Sequence, residues 1–310
     1  QDITADTNHC GGCNTACSLP NATASCTAGS CTIATCNAGY EDTNTDPSDG
    51  CETVALLITL AAGGNHACVE TGGIVKCWGG NDSGQLGDST TTNSATPLTV
   101  PNFSDVTAVE AGTAHTCALL SSGLVRCWGD DSSQQLGDGS LAGVVSMTSG
   151  GNSSCAVLAS GAVKCWGAND SGQLGGTSNS YCGQDFRRMP CSTAPLTIPE
   201  IADATAVASG TTHSCALLAT GGISCWGDNS SGQLGDGTTV GTATFAGGTP
   251  DAPIYTYRAP VTVNGVTDAI AVVAGGSYDG HTCALLSTGR VQCWGANDSG
   301  QLGDGTTTRR

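Results

Sequence analysis

Residues 112–138 read GTAHTCALLSSGLVRCWGDDSSQQLGD, and the reading of this stretch decides the fold. It holds two short apolar segments separated by Ser-Gly, the signature of a hairpin whose turn needs a residue at positive φ. The pattern recurs as GGNHACVETGGIVKCWGGNDSGQLGD from Gly63, GGNSSCAVLASGAVKCWGANDSGQLGG from Gly150, GTTHSCALLATGGISCWGDNSSGQLGD from Gly210 and YDGHTCALLSTGRVQCWGANDSGQLGD from Tyr278. All five tryptophans of the chain sit in these copies. Five copies at regular spacing are the mark of a repeat architecture in which each strand–turn–strand unit is covered by its neighbours.

The cysteines give an independent handle. Cys68 and Cys77, Cys117 and Cys127, Cys155 and Cys165, Cys215 and Cys225, and Cys283 and Cys293 each flank a turn almost symmetrically. Residues placed this way face each other across a hairpin, where a disulfide closes a short loop and stabilises by roughly 3 kcal/mol in the chain-entropy model. The plainer alternative is five pairs of buried thiols. Zinc fits less well, because structural zinc sites use short Cys-x-x-Cys knuckles.

Composition narrows the function classes. Forty-six glycines and few aromatics among 310 residues favour strands and turns, so an all-β chain is expected. Nineteen cysteines point to an oxidising compartment, and with Gln1 first the chain reads as mature exported material whose signal peptide has been removed. No stretch approaches the roughly 20 apolar residues of a membrane span. A net charge of −17 with nine Lys and Arg opposes nucleic-acid binding, which needs clustered basic residues. Neither a nucleophile–base pair nor a glycine-rich phosphate loop stands out, so no enzyme is expected.

The order of these motifs, a Gly-x-x-His start, a Gly-x-Val-x-x-Trp-Gly centre and an Asn-x-x-Gly-Gln-Leu-Gly-Asp end, resembles the regulator of chromosome condensation repeat family over residues 53–310. The resemblance implies a β-propeller, seven-bladed in most members. The family's eukaryotic founder promotes nucleotide exchange on a small GTPase and binds chromatin, and neither activity is carried over. Cysteines and acidic charge instead resemble an exported branch, such as bacterial propeller-type protein inhibitors of β-lactamases. Fold alone does not fix function.

Strands such as residues 105–110 (DVTAVE), 203–208 (DATAVA) and 268–273 (DAIAVV) precede the repeats. After the fifth repeat only DGTTTRR follows, so residues 54–61 (VALLITLA) are expected to close the last blade, giving a ring of about five blades. Two chains sharing blades is the alternative, since propellers otherwise leave exposed edges.

Residues 1–52 form a second domain, acidic and rich in cysteine. It has seven cysteines, seven carboxylates and no Lys or Arg. HCGGCNTAC, CTAGSC and CNAGYEDTNTDPSDGCE resemble cysteine-rich segments of exported myxobacterial proteins. Too small for a core, the module depends on disulfides, and its odd cysteine is left for a partner chain or stays free. Asp42, Asn44, Asp46, Asp49 and Glu52 place oxygen ligands at a spacing that suits Ca²⁺, although Pro47 stands where such loops use glycine. A solvated Asx-rich turn is the alternative.

Other candidate residues follow from the repeat and from departures from it. His66, His115, His213 and His281 precede the first cysteine of four repeats by two residues, with Ser153 in the third. They read as blade-stabilising groups more than as metal ligands. Asn81, Asn169, Asn229 and Asn297 lie in Asn-x-Ser sequences open to glycosylation or to use in the turn. Two insertions break the pattern. In SNSYCGQDFRRMPCSTAP, Cys182 and Cys191 are expected to close a loop presenting Phe186, Arg187, Arg188 and Met189, and TFAGGTPDAPIYTYRAP carries Phe245, Tyr255, Tyr257 and Arg258. Exposed aromatic and Arg side chains on a constrained loop have the composition of a binding hot spot, the alternative being cover for a blade edge.

The leading expectation is an extracellular structural or adhesive protein that associates with itself head to tail, as in a filament. The acidic residues 1–52 would dock on Arg187, Arg188, Arg258, Arg309 and Arg310 of a neighbour. The alternative is a monomeric exported propeller that binds another protein, as an inhibitor or adhesin, through its insertions.

Overall fold

The computed structural model describes the chain apart from residues 1–4, 9, 12–15, 38–39, 43–45, 54–58, 179, 183–187, 250–251 and 277–278. The described residues form strands and turns and no helix, in two compact units, residues 1–57 and 58–310. No helix is long and apolar enough to cross a membrane.

In the first unit, Ala22–Thr27 pairs with Ser30–Cys36 and Tyr40–Glu41 with Glu52–Thr53. Disulfides join Cys10 to Cys26, Cys17 to Cys31 and Cys36 to Cys51. The remaining cysteine, Cys13, lies outside the described residues. So few buried apolar side chains cannot offset the entropy of ordering the segment, and the cross-links supply the deficit by restricting the unfolded chain.

The second unit is a β-propeller of five blades. In blade one Thr59–Ala62, His66–Thr71, Ile74–Gly79 and Ser94–Thr99 pair in sequence order; the other blades repeat the first three of these strands, and Met189–Thr197 in blade three and Val261–Thr262 in blade four take the fourth place. The hairpin of each repeat supplies the middle of its blade. Its turn uses a glycine in the left-handed region, such as Gly123 at φ 77°, where a Cβ would clash with the chain. The paired cysteines lie opposite each other in every hairpin, with Cα atoms 4.1 Å apart. Period-2 alternation sends the cysteines and the Val or Ile after the turn to one sheet face and the Ala and Trp to the other. Stacked blades bury both, so the hydrophobic core is divided into four clusters, one between each successive pair of blades.

The inner strands pack in chain order: Thr59–Ala62 on Val106–Ala111, then Val144–Gly150, Ala204–Ser209 and Ala269–Gly275. Among the described residues the last of these does not pack on the first as a pair. The expected closure by residues 54–61 is corrected in its described part. Thr59–Ala62 is the inner strand of blade one, paired with His66–Thr71, and not a strand of blade five. Only Gly63, Gly64 and Asn65 separate the two strands, and so short a connection brings sequence neighbours together. Residues 54–58 lie outside the described residues.

Candidate functional site

The repeated polar residues hold blades to one another. Each repeat ends in a tight turn organised by a fully buried asparagine or, in the second repeat, by the exposed Asp131, which accepts from Leu136 N–H. The Asn81 amide donates to Asp88 Oδ1 and to the carbonyls of Thr90 and Thr92, while its oxygen accepts from Leu86 N–H. Asn169, Asn229 and Asn297 are likewise wholly buried, which commits these amides to the turn and leaves none exposed for a glycan. The turn aims a glutamine carbonyl at the next blade. Gln85, Gln135, Gln173 and Gln233 accept from the indole N–H of Trp128, Trp166, Trp226 and Trp294 at 2.8–2.9 Å.

The histidines belong to the same joints. His66 Nε2 lies 2.8 Å from Thr116 Oγ1, His115 Nε2 2.9 Å from Ser154 Oγ and His213 Nε2 2.9 Å from Thr282 Oγ1. Thr116 and Thr282 donate their own hydrogens to the carbonyls of Gln85 and Gln233, so they accept from the imidazole and fix the Nε2–H tautomer. Nδ1 is then a buried lone pair without a donor. Burial, the dominant cause, holds His115 and His213 down to about 4, and they are neutral at physiological pH.

Around the propeller axis the inner strands line a passage whose described lining offers a single titratable side chain, Glu110. Burial pushes its carboxyl up to about 7, against a hydrogen bond from Ser149 N–H. The described lining holds no second carboxyl, histidine or cysteine beside it.

In the acidic module, Asp46 Oδ1 accepts from Ser48 N–H at 2.9 Å and from Ser48 Oγ at 2.6 Å, a local Asx turn that lowers its pKa. Asp42 is half-buried and Asp49 exposed. These three do not bring their carboxylate oxygens within 4.8 Å of one another. Asn44 and the Glu52 side chain lie outside the described residues. Cys10, Cys17 and Cys26 do cluster, but as members of disulfides.

The insertions are built differently from the blades. Ser180–Cys182 adds a fifth strand to blade three by pairing with Met189–Thr197, and the Cys182–Cys191 disulfide closes the loop between them. Phe186 and Arg187 lie outside the described residues, while Arg188 and Met189 are exposed. The second insertion is a separate hairpin, Ala243–Thr249 with Ala252–Tyr257, that belongs to no blade sheet. Its register sets Phe245 opposite Tyr255, and Tyr257 follows two residues on, so the three rings share one face. Phe245 and Tyr255 meet edge to face at 5.7 Å and Tyr255 and Tyr257 at 6.4 Å. Phe245 is 61% exposed.

One end of this row is anchored. The Tyr257 hydroxyl donates to the Asn169 carbonyl at 3.4 Å, and burial pushes its pKa up to about 12. Arg258 braces the hairpin base by donating to the Gly241 carbonyl at 2.6 Å. Because Ala252–Tyr257 packs against Met189–Thr197, the two insertions form one composite surface. Tyr181, 39% exposed, belongs to it and was not singled out in the sequence. The signal was its place beside Cys182, which ties it to the first insertion. The basic tail is already engaged within the propeller. Arg309 pairs with Asp298 at 2.6 Å and Asp279 at 3.3 Å, and Arg310 with Asp304 at 3.1 Å.

Comparison with known proteins places the chain. Two family models described as regulator of chromosome condensation (RCC1) repeat match it, one over residues 73–119 and 160–217 and one over 106–135, 144–173, 204–233 and 270–301. The human E3 ubiquitin-protein ligase HERC2 is 34% identical over 135 residues, which is 40% of this chain and 2% of that protein. Among solved structures, the complex of Kap60 with yeast RCC1 (Prp20) matches with a TM-score of 0.66 at 21% identity, covering 90% of this chain and 69% of that one. Prp20p from Saccharomyces cerevisiae gives 0.65 at 21%, covering 89% and 70%. Human WBSCR16 gives 0.53 at 17%, covering 86% of each chain. Repeat order, blade plan and these matches agree, and the chain belongs to the RCC1 repeat family of β-propellers.

Proposed function

We propose that the chain is an exported binding module that recognises another protein through the composite surface of its two insertions, without catalysis of its own. The row of Phe245, Tyr255 and Tyr257, exposed at Phe245, half-buried at the two tyrosines and held on a hairpin outside the blade sheets, carries this reading. Aromatic rings fixed in advance give large contact area at little entropic cost. The densely disulfide-linked propeller and module fit an oxidising compartment. The yeast structures bear on partners: one is a complex with Kap60, and the other concerns binding of Prp20p to Gsp1p and histones. Those partners are the yeast protein's own; what supports the reading here is a propeller used as a platform for proteins.

The charge-driven route to self-association draws on less. Arg309 and Arg310 are paired with carboxylates of their own chain, which leaves Arg188 and Arg258 as the exposed described arginines of the insertions, and Arg258 already donates to the Gly241 carbonyl.

A displayed peptide library selected on the full chain tests the proposal. Selected ligands should lose at least tenfold in affinity on the F245A/Y255A variant and bind K76E, on a blade strand, as they bind the parent chain. Ligands indifferent to the double substitution would place recognition elsewhere.

A further inference from the structure

The four joints between blades are built alike. A blade's trailing face, turned to the next blade, presents its disulfide and the Val or Ile after the hairpin turn. The next blade's leading face answers with Val or Met, Ala and Trp. Between blades four and five, Cys215, Cys225, Ile223 and Leu234 meet Val272, Ala284 and Trp294. The indole bond to the preceding glutamine carbonyl completes each joint.

Both halves of this joint occur once more, unused. On the trailing face of blade five, Val273, Leu285 and Val291 are open. Val291 is 66% exposed, whereas Val75, Val125, Val163 and Ile223 at the same register position are 8% exposed or less. A methyl group on Gly87 or Gly235 would run into Trp128 or Trp294 at 2.7 Å, but one on Gly303 would meet nothing within 4 Å. The Gln301 carbonyl receives no indole among the described residues. The leading face of blade one is the complement. Leu60 is 73% exposed where its counterpart Val109 is 1% exposed, and among the described residues the Trp78 N–H has no acceptor.

We propose that the two faces meet between copies: the leading face of blade one of a second copy of this chain seats on the trailing face of blade five, its Trp78 donating to the Gln301 carbonyl. Continuity with the internal joints favours this occupant, because the chain already makes the same contact four times. One element is missing. Ala67 stands where Thr116, Ser154, Ser214 and Thr282 stand in later blades, so His281 gains no hydroxyl and the joint between copies is weaker than those within the chain. The contacting surfaces differ, so the association is heterologous and adds copies in one direction. Ten blades exceed the typical 4–8 of a closed propeller, so the copies continue as an open spiral. This contact is separate from the insertion surface, and neither reading depends on the other.

Sedimentation of the full chain over roughly 1–100 µM tests it, a range bracketing the affinities of weak specific interfaces. L60D blocks the leading face and V291D the trailing face; both side chains are exposed, and thermal melts check that each variant folds. The parent chain should form larger species as concentration rises, and each variant alone should stay at 30.5 kDa. Mixed in equal amounts, the variants should give a one-to-one dimer, since one intact face of each kind remains. A parent chain monomeric at every concentration overturns the proposal, and so does assembly that either substitution leaves intact. A monomer in which L60C and V291C are bridged within one molecule by a short thiol cross-linker overturns it in favour of ring closure.

Discussion

The joint between blades four and five and the hairpin carrying Phe245 arise from neighbouring stretches of one chain, yet they use their aromatic rings in opposite ways. Trp294 is buried, with its N–H on the Gln233 carbonyl, while Phe245 stands in solvent with an edge-on Tyr255 as its partner. The first ring occupies a position that every repeat fills; the second has no equivalent in any repeat. At the joints between blades, side chains on the repeat are consumed by the neighbouring blade, so away from the open faces of blades one and five only residues added to the repeat remain available to another molecule.

The largest test of this contrast is to delete one ring inside the array and one at its open end. Trp226→Ala removes a fully buried side chain and its bond to the Gln173 carbonyl, and should lower stability by about 3–5 kcal/mol. Trp78→Ala, at a leading face with no preceding joint, should cost under about 1 kcal/mol in dilute solution. Guanidinium unfolding compares them, and equal costs would break the distinction between joint and open face.

Acid sharpens it further. His115 and His213 titrate near 6.5 when unfolded and at about 4 in the fold. Above pH 6.5 both states are neutral and nothing changes; between 6.5 and 4 the unfolded chain takes up protons that the folded chain refuses, so stability falls as pH falls. The gap corresponds to about 3 kcal/mol for each histidine. Glu110, raised to about 7, works in the other sense, gaining stability towards acid, so the difference between variants is the cleaner reading. Urea midpoints at pH 7.5 and 4.5 should show a smaller drop for His213→Gln than for the parent chain. An identical drop would remove the imidazoles from the joints.

The smallest expected effect lies on the insertion. Phe245→Ala should shift stability by no more than about 0.5 kcal/mol, because the ring is exposed and its hairpin lies outside the blade sheets. A loss comparable to that of Trp226→Ala would show the hairpin to be cover for the blade.

Much of the propeller is legible in the sequence because its information is local and repeated. The turn glycine, the flanking cysteines and the alternation around them lie within about a dozen residues, and five copies agree. What escapes is whatever depends on a distant partner. Nothing in the apolar run of Thr59–Ala62 itself says which blade it joins; the three-residue link to His66 decides it. Arg309 and Arg310 look free in sequence, but Asp279, Asp298 and Asp304 reach them across the fold. The Phe245–Tyr255 register passes through a bulge before Gly247, so no simple alternation announces it.

The disulfides of the propeller each stay within a blade: five bridge hairpins, one closes the blade-three insertion, and none described joins two blades. Under mechanical load this divides the chain into parts that yield and parts that do not. A pull on the ends separates the noncovalent joints first, freeing the connecting segments, while the nine or ten residues spanned by each hairpin bridge stay folded back on themselves. The extended chain is therefore a string of intact hairpins. Each retains its own register, so on release only the docking of one blade against the next has to be found again.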